Sequence, residues 1–243
     1  MKLYGLIGFP LSHSFSKKYF TEKFEKEGLS GCRFENFPIA SVDEIKKVLA
    51  DHPDLAGLGV TIPHKKTIIP FLDEVSEEVK KINACNCIRI RDGKLMGFNT
   101  DITGFERSLK KNLKPHHTDA LILGTGGSSK AVEYVLKRLN ISYRSVSRKP
   151  SSQNLSYEQV TTDVIKKFKL IINTTPLGMY PNVVQAPDIP YEALGSQHLL
   201  FDLIYNPEKT LFLKKGEEMG AEIKNGLEML TILAEENWTN WNS

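Results

Sequence analysis

A glycine-rich run joins a predicted strand to a predicted helix in the second half of the chain. The run GTGGSSKA at 124–131 follows the apolar stretch ALILG, so its glycines fall in the turn between the two elements. Gly124 permits the tight turn, Gly126 lets the backbone approach a ligand, and the small Ser129 takes the third position. The helix N-terminus offers unpaired N–H groups and a positive dipole end to a phosphate. The pattern predicts dinucleotide binding, and a turn that serves geometry alone is the alternative.

The kind of dinucleotide is indicated about twenty residues further on, at the end of the next predicted strand. NAD sites carry an Asp or Glu there, which binds the 2′-hydroxyl of the ribose. Here the chain reads Ser147, Arg148 and Lys149, with two cations and no carboxylate. A guanidinium pairs with a phosphate and also stacks on aromatic faces. We therefore expect NADP as the cofactor, with a solvated basic loop as the alternative.

Three polar segments in the first half carry side chains suited to anion binding or proton transfer. The segment LSHSFSK at 11–17 brings three hydroxyls and a histidine together, which can bind a carboxylate or cap the next helix. The segment VTIPHKK at 60–66 ends a predicted buried strand, where a lysine can act as an acid or a base. The segment FNTD at 98–101 places Asp101 at the start of a helix, where capping is the alternative role.

The elements that must position these residues alternate between strand-like and helix-like patterns. Apolar runs predict strands at 2–8, 32–39, 55–62, 120–124, 141–147, 169–175 and 199–205. Apolar residues at helical spacing predict helices after Ser14, Ser41, Asn99 and Gly126, around Val164, and from Leu227 to Trp241. Asp92 and Gly93 suit a type I′ turn, so the strands on either side of them should form a hairpin. The alternation favours an α/β fold with a parallel sheet covered by helices on both faces.

Composition excludes several classes of protein. The chain has 243 residues, of which 40% are hydrophobic and 25% charged, and a formal net charge of +3, so nucleic-acid binding is not expected. Three cysteines are too few for a secreted disulfide framework, and the C-x-C at 85–87 lacks the further ligands of a metal site. No apolar run reaches about 18 residues, and the N-terminus does not read as a signal peptide. We expect a cytoplasmic protein that binds no metal.

In their order along the chain, these segments resemble the shikimate dehydrogenase family. Six family motifs are matched in full, namely G-x-P-x-x-H-S-x-S at 8–16, G-x-N-T-D at 97–101, G-x-G-G at 124–127, N-x-T-P-x-G-M at 173–179, D-x-x-Y-N-P-x-x-T at 202–210 and N-G-x-x-M-L at 225–230. Two more are matched with one change each: N-V-T-x-P-x-K at 59–65 has Gly59 in place of Asn, and A-x-N-T at 84–87 has Cys87 in place of Thr. His13 is the histidine of the first motif. The motifs run almost from one end of the chain to the other, so the resemblance is highly specific.

The resemblance implies the reversible reduction of 3-dehydroshikimate to shikimate with NADPH, in aromatic amino-acid biosynthesis. It implies two α/β domains with a cleft between them, a substrate domain at 1–99 plus 227–243 and a Rossmann domain for NADP at 100–226. Lys65 and Asp101 would form the catalytic pair. The hydride reaches a carbonyl carbon and the developing alkoxide needs a proton, which Lys65 can supply while Asp101 orients its amine.

The resemblance also implies the residues that bind each ligand. The substrate residues would be Ser14, Ser16, Thr61, Asn86, Asp101 and Tyr205. The cofactor residues would be Gly124, Gly126, Gly127, Ser128, Ser147, Arg148, Lys149, Asn173, Thr174, Met179 and Gly226. Ser14 and Ser16 would hold the substrate carboxylate, with Tyr205 near it. We expect a small-molecule substrate, no nucleic-acid or membrane partner, and a monomer or homodimer.

Two departures from the family pattern matter for substrate binding. Leu233 stands where the family has a glutamine that contacts the substrate, and Gly59 stands where it has an asparagine. Loss of one polar contact costs roughly 1–3 kcal/mol, so we expect weaker binding or a changed substrate preference. The alternatives are a paralogue that prefers quinate and a catalytically weak NADP-binding sensor. Leu233 and Gly59 would suit the sensor, whereas the retained Lys65 and Asp101 argue against it.

Overall fold

The computed structural model describes residues 1–11, 14–149, 151–152 and 154–243. The chain divides into two compact units, residues 1–100 with 233–243 and residues 101–232. Helices and strands alternate along the chain, and the last helix, α8 (Leu227–Asn242), supplies residues to both units. Within the described ranges, no helix is long and apolar enough to cross a membrane.

The sheet of the first unit has six strands and is mixed. The strands are β1 (Lys2–Gly8), β2 (Cys32–Pro38), β3 (Leu55–Val60), β4 (Glu74–Val75), β5 (Cys87–Arg91) and β6 (Lys94–Phe98), in the spatial order β2-β1-β3-β5-β6-β4. Strand β1 pairs in parallel with β2 and β3, whereas β5 is antiparallel to β3 and β6. A two-residue connection joins only antiparallel neighbours. Asp92 and Gly93 have φ angles of 51° and 73°, as a type I′ turn requires, which confirms the predicted hairpin.

Helix boundaries in the first unit follow local sequence signals. The helices are α1 (Phe15–Lys26), α2 (Ile45–Asp51) and α3 (Glu77–Ile82). Gly28, at a φ of 66°, follows the end of α1, as the sequence predicted. Ser41 and Glu44 form the predicted capping box, in which the Ser41 amide donates to the Glu44 carboxylate at 2.8 Å. A short 3₁₀ turn, Val42–Glu44, separates that cap from α2.

Two apolar layers cover the two faces of this sheet. The aliphatic layer includes Ile7, Val48, Leu58, Val79 and Ile88. The aromatic layer includes Tyr4, Phe20, Phe24, Phe34 and Trp241. Trp241 stacks on Tyr4 with ring centroids 5.1 Å apart, and a Cβ at Gly57 would overlap the Trp241 ring. Only glycine at position 57 leaves room for this ring, which holds the end of α8 against the sheet.

The second unit contains a parallel sheet of six strands with the order of a dinucleotide-binding domain. Its strands are β7 (Asp119–Leu123), β8 (Ser142–Val146), β9 (Asn154–Leu155), β10 (Leu170–Asn173), β11 (Leu199–Asp202) and β12 (Glu222–Lys224). Its helices are α4 (Asp101–Lys110), α5 (Gly127–Arg138), α6 (Thr162–Lys167) and α7 (Leu211–Glu218). The spatial order β9-β8-β7-β10-β11-β12 is the doubly wound 3-2-1-4-5-6 arrangement, which confirms the predicted Rossmann fold.

Several short elements fell outside the predicted pattern. Strands β4 and β9 have two residues each and β12 has three, which is too few to show a period along the sequence. Helices α3 and α7 lie in segments for which the sequence predicted no element. These elements extend the sheets and cover their faces, and they supply no residue of the predicted site.

Candidate active site

The glycine-rich turn lies at the point where the strand order of the second sheet reverses. Gly124 follows β7 at a φ of 108°, and a Cβ there would stand 2.8 Å from the hydroxyl of Thr174, which follows β10. The amide and the hydroxyl of Thr174 both donate to the carbonyl oxygen of Leu123, at 2.9 and 2.8 Å. Ligands of doubly wound sheets bind outside the carboxyl ends of the strands at this reversal.

The start of α5 has the geometry of a phosphate cradle. Gly126 precedes the helix, and among the described residues no atom lies within 4 Å of the place where its Cβ would stand. Ser129 is fully buried and its hydroxyl donates to the carbonyl oxygen of Gly126 at 2.7 Å. The first turn is therefore packed on its inner side and open on its outer side. Gly126, Gly127 and Ser128 leave backbone N–H groups available for a pyrophosphate there, so the residues fit a bound dinucleotide.

The two cations lie directly beyond β8, the strand next to β7. Arg148 and Lys149 are exposed, and the Lys149 amide donates to the hydroxyl of Ser147 at 3.1 Å. The same hydroxyl lies 3.4 Å from that of Thr125 in the glycine-rich turn. This pairing ties the basic segment to the phosphate cradle. The segment can therefore meet the ribose end of a dinucleotide whose pyrophosphate lies on α5.

A buried polar network supports the strand ends beside the cradle, and no role for it was predicted. The Oδ1 atom of Asp202 accepts hydrogen bonds from Asn173 at 3.1 Å and from the Ile204 amide at 3.0 Å. Its Oδ2 atom accepts one from the Thr210 hydroxyl at 2.6 Å. The Asn173 oxygen in turn accepts from the amide and the hydroxyl of Thr175, at 3.0 and 2.7 Å. The signals in the sequence for this network were the motif from Asp202 to Thr210 and the motif at 173–179, which contains Asn173 and Thr175.

The Asp202 network predicts a pH-dependent stability. Burial raises the pKa of Asp202 from 3.8 to about 7, against the lowering effect of its three hydrogen bonds. Because the folded chain holds this proton more tightly than the unfolded chain, the contribution is complete below about pH 4 and is lost as the pH rises through 7. Between pH 6 and pH 8, the wild-type chain should lose about 1.4 kcal/mol of unfolding free energy relative to Asp202→Asn.

Urea unfolding of both chains at pH 6 and pH 8 measures this difference, because the titrations common to both chains cancel. The matched control is Asp188→Asn, which changes an exposed carboxylate of the same unit. An equal loss of stability in the wild-type chain and in Asp202→Asn between the two pH values would contradict the assignment.

The remaining cofactor residues of the second unit lie in its loops. A Cβ at Gly226 would overlap the carbonyl oxygen of Leu203, so this position has room only for glycine. Met179 is 41% exposed, and its amide donates to the carbonyl oxygen of Pro176 at 3.1 Å. Tyr205, which was predicted to bind the substrate rather than the cofactor, also lies in this unit and is half-buried. The exposed Met179 thioether is available to a ligand, whereas Gly226 acts by allowing close approach of two backbone segments.

In the first unit, Ser14 precedes α1 and does not cap it. Its side chain makes no capping hydrogen bond, and its hydroxyl oxygen is buried without a partner among the described residues. A buried hydroxyl without a partner is costly, so a ligand group that pairs with it gains that energy. Ser16, two residues further on in the first turn of α1, is half-buried. Of the two roles that the sequence left open, this geometry favours carboxylate binding at the helix N-terminus. His13 lies outside the described residues.

The lysine segment follows β3 and is fixed to the start of the hairpin. The Thr61 amide donates to the Ile7 carbonyl oxygen at 2.9 Å, and the Cys85 amide donates to the Lys65 carbonyl oxygen at 2.7 Å. These bonds bring Lys65, which is half-buried, close to the segment that contains Asn86. His64 is buried, and its ring nitrogen Nε2 lies 2.8 Å from the carbonyl oxygen of Ile39. The histidine of this segment is therefore structural.

Asn86 and Asp101 are both buried. The backbone carbonyl oxygen of Asn86 accepts from the Val60 amide at 2.8 Å, and the backbone amide of Asn86 donates to the Phe98 carbonyl oxygen at 3.1 Å. Asp101 is the first residue of α4 in the second unit and is 3% exposed. A carboxylate so placed meets the favourable end of the helix dipole. A folded chain buries polar side chains such as these only when they have hydrogen-bond partners.

Comparison with known proteins gives the family. Residues 6–88 match the model of the shikimate dehydrogenase substrate binding domain. A protein of Methanosphaera stadtmanae named shikimate dehydrogenase (NADP(+)) is 37% identical, with 93% of this chain and 86% of that protein covered. The chain belongs to the shikimate dehydrogenase family. A match that covers almost the whole chain includes both units.

Solved structures of shikimate dehydrogenases share both the fold and the length. The enzyme of Peptoclostridium difficile is 34% identical with a TM-score of 0.86, covering 100% of this chain and 92% of that one. The enzyme of Thermus thermophilus, solved with NADP(H) and shikimate, is 26% identical with a TM-score of 0.88. The match covers 99% of this chain and 93% of that one. The architecture of two α/β units is therefore that of the shikimate dehydrogenase family.

The structure shows the surroundings of Gly59 and Leu233, the two departures from the family pattern that we expect to matter for substrate binding. A Cβ at Gly59 would stand 2.9 Å from the Cδ1 atom of Leu6 on the neighbouring strand β1. An asparagine at position 59 would therefore need Leu6 to move. Leu233 is half-buried on α8. Both positions belong to the first unit, which also contains Lys65 and Asn86.

Proposed function

We propose that this chain catalyses the reversible, NADPH-dependent reduction of 3-dehydroshikimate to shikimate, a step of aromatic amino-acid biosynthesis. The observation that carries the proposal is the whole-chain match to relatives named shikimate dehydrogenase (NADP(+)). The glycine-rich turn, the basic segment after β8, and the residues Lys65 and Asp101 are all retained. The chain is thus an NADP-dependent oxidoreductase that acts on a CH–OH group.

Lys65 and Asp101 are the proposed catalytic pair. When bound, NADPH supplies a hydride to the carbonyl carbon of the substrate. The Lys65 ammonium donates a proton to the carbonyl oxygen, and its charge stabilises the negative charge that develops there. Asp101 orients the Lys65 ammonium through a charge-assisted hydrogen bond. In the direction of oxidation, the Lys65 amine accepts the proton of the substrate hydroxyl.

The substrate domain predicted at 1–99 plus 227–243, together with Asp101 and Tyr205, is proposed to bind the substrate. Ser14 and Ser16 bind its carboxylate, and the buried Ser14 hydroxyl without a partner among the described residues supports this role. Tyr205 is assigned to the same carboxylate. The ring hydroxyls are bound by Thr61, Asn86 and Asp101.

The Rossmann domain predicted at 100–226 is proposed to bind NADP. Gly124, Gly126, Gly127 and Ser128 hold the pyrophosphate, and Ser147, Arg148 and Lys149 hold the 2′-phosphate. Asn173, Thr174, Met179 and Gly226 shape the rest of the cofactor site. We place the enzyme in the cytoplasm as a monomer or homodimer that binds neither nucleic acid nor membranes.

A spectrophotometric assay tests the activity. Purified protein is mixed with shikimate and NADP⁺, and the absorbance of NADPH is followed; the same assay is repeated with quinate and with NAD⁺. Turnover of shikimate with NADP⁺ in preference to the other pairs is the expected result. Turnover of quinate alone would replace the proposal with the quinate enzyme. NADPH binding by fluorescence without any turnover would replace it with the sensor.

Replacement of Leu233 by glutamine should strengthen substrate binding. A glutamine amide at this half-buried position of α8 can pair with a substrate hydroxyl that leucine leaves without a partner. We expect the KM for shikimate to fall by about fivefold, with the KM for NADP⁺ unchanged. Leu227→Gln, an exposed leucine of the same helix, is the matched control. An unchanged or higher KM for shikimate in Leu233→Gln would show that the side chain at position 233 does not address the substrate.

A further inference from the structure

Three buried polar side chains form a chain of contacts in the first unit. Asn86, Thr100 and Asn237 are only 4%, 3% and 6% exposed. The Thr100 amide donates to the Oδ1 atom of Asn86 at 2.7 Å. The Thr100 hydroxyl oxygen lies 3.2 Å from that same atom and 2.7 Å from the Oδ1 atom of Asn237. Asn237 lies on α8, beyond the last of the sequence motifs, and has been given no role so far.

A count of protons shows how the hydrogen bonds among these three side chains are arranged. The Thr100 hydroxyl has one proton and cannot donate to two carbonyl oxygens at once. The oxygen and the nitrogen of a side-chain amide exchange places when the amide rotates by half a turn. In the rotated form, Asn237 donates from Nδ2 to Thr100, and Thr100 donates to Oδ1 of Asn86. Every contact in the chain then joins a donor to an acceptor, as buried polar groups require.

This arrangement fixes the direction of the Asn86 amide. Its oxygen is held by both the amide and the hydroxyl of Thr100, so its nitrogen must point the other way. The Asn86 backbone is fixed as well, by its bonds with Val60 and Phe98. An amide whose rotation is prevented in advance loses less entropy when it binds a ligand. The hydrogen bonds through Thr100 and Asn237 can therefore orient the Asn86 side-chain amide before the substrate binds.

We propose that Asn237 is a positioning residue for substrate binding. Through the Thr100 hydroxyl, it holds Asn86 so that Nδ2 of Asn86 donates a hydrogen bond to a ring hydroxyl of the substrate. Asn237 touches neither substrate nor cofactor and acts only through Asn86. The inference rests on the proposed function, because it needs Asn86 to bind the substrate.

Steady-state kinetics with a double-mutant cycle tests the inference. Asn237→Ala should raise the KM for shikimate about tenfold, change kcat by less than about twofold, and leave the KM for NADP⁺ unchanged. In an Asn86→Ala background, the same substitution should change the KM for shikimate by less than about twofold, because the residue it positions is gone. Asn240→Ala is the matched control, since the Asn240 amide donates to a carbonyl oxygen of the same helix, that of Glu236, at 2.9 Å.

A second pair of variants tests the same link without a change to α8. Thr100→Val removes the hydroxyl and keeps the shape, so it should raise the KM for shikimate as Asn237→Ala does. Thr100→Ser keeps the hydroxyl, so its KM for shikimate should stay near the wild-type value. The inference is overturned if Asn237→Ala leaves the KM for shikimate unchanged, if it raises this KM equally in both backgrounds, or if Asn240→Ala has the same effect. Absence of shikimate turnover in the unmodified enzyme would overturn the proposed function and, with it, this inference. Normal turnover with an unchanged KM in Asn237→Ala would overturn the inference alone.

Discussion

Replacement of Lys65 by methionine is expected to lower kcat for shikimate oxidation by about three orders of magnitude. Methionine keeps most of the length and the apolar stem of the side chain but cannot accept or donate a proton. The variant loses general acid–base catalysis, which contributes about 10²–10⁴-fold, and the charge that stabilises the alkoxide. Because Lys65 would act on the reacting oxygen, the dissociation constant for NADPH should stay unchanged. Stopped or continuous NADPH absorbance assays measure kcat, and NADPH fluorescence measures binding.

Lys66→Met is the matched control for this experiment. Lys66 is the next residue along the chain and is exposed, whereas Lys65 is half-buried. The control should keep kcat within about twofold of the wild-type value, since most exposed surface substitutions are nearly neutral. If Lys65→Met kept more than about a tenth of the wild-type kcat, another group would have to move the proton, and the assigned catalytic pair would be wrong.

Replacement of Arg148 by alanine should remove most of the preference for NADP⁺ over NAD⁺. The exposed guanidinium follows β8 and is proposed to bind the 2′-phosphate, which NAD⁺ lacks. A charge-assisted hydrogen bond contributes about 1.5–3 kcal/mol, so the KM for NADP⁺ should rise about a hundredfold. The KM for NAD⁺ should change by less than about twofold. The ratio of kcat/KM for the two cofactors is the quantity to measure.

Arg144→Ala serves as the control for Arg148, because Arg144 is also exposed and lies within β8. It removes the same charge from the same unit without touching the segment after the strand. A purely long-range electrostatic effect would weaken NADP⁺ binding in both variants, whereas a direct contact weakens it only in Arg148→Ala. Equal losses of kcat/KM for NADP⁺ and NAD⁺ in Arg148→Ala would exclude a specific contact with the 2′-phosphate.

The parts of the fold that depend on local geometry could be predicted from the sequence. Asp92 and Gly93 indicated a hairpin because their types tolerate positive φ angles, and both angles are positive. The capping box at Ser41 and Glu44 was indicated by residue types three positions apart. Gly124 was indicated as a turn residue, and its φ of 108° agrees. Each of these signals involves residues within a few positions of one another.

The direction of each strand required more than the pattern of apolar residues. Alternation of strands and helices favoured a parallel sheet, which describes the second unit. In the first unit, two of the five strand pairings are antiparallel, because β5 of the hairpin runs against the other strands. Short strands such as Glu74–Val75 and Glu222–Lys224 gain their stability from neighbours already in place, so their own two or three residues show no pattern.

The order of motifs along the chain was enough to indicate the family, the NADP cofactor, and the residues proposed to react or bind. Those are properties of residue types and spacing, and they are visible without any contact. The roles of Asp202 and Asn237 depended on the tertiary structure. Asp202 meets Asn173 across 29 positions, and Thr100 meets Asn237 across 137. Hydrogen bonds between residues so far apart form only when the strands and helices pack, because no local preference brings those side chains together.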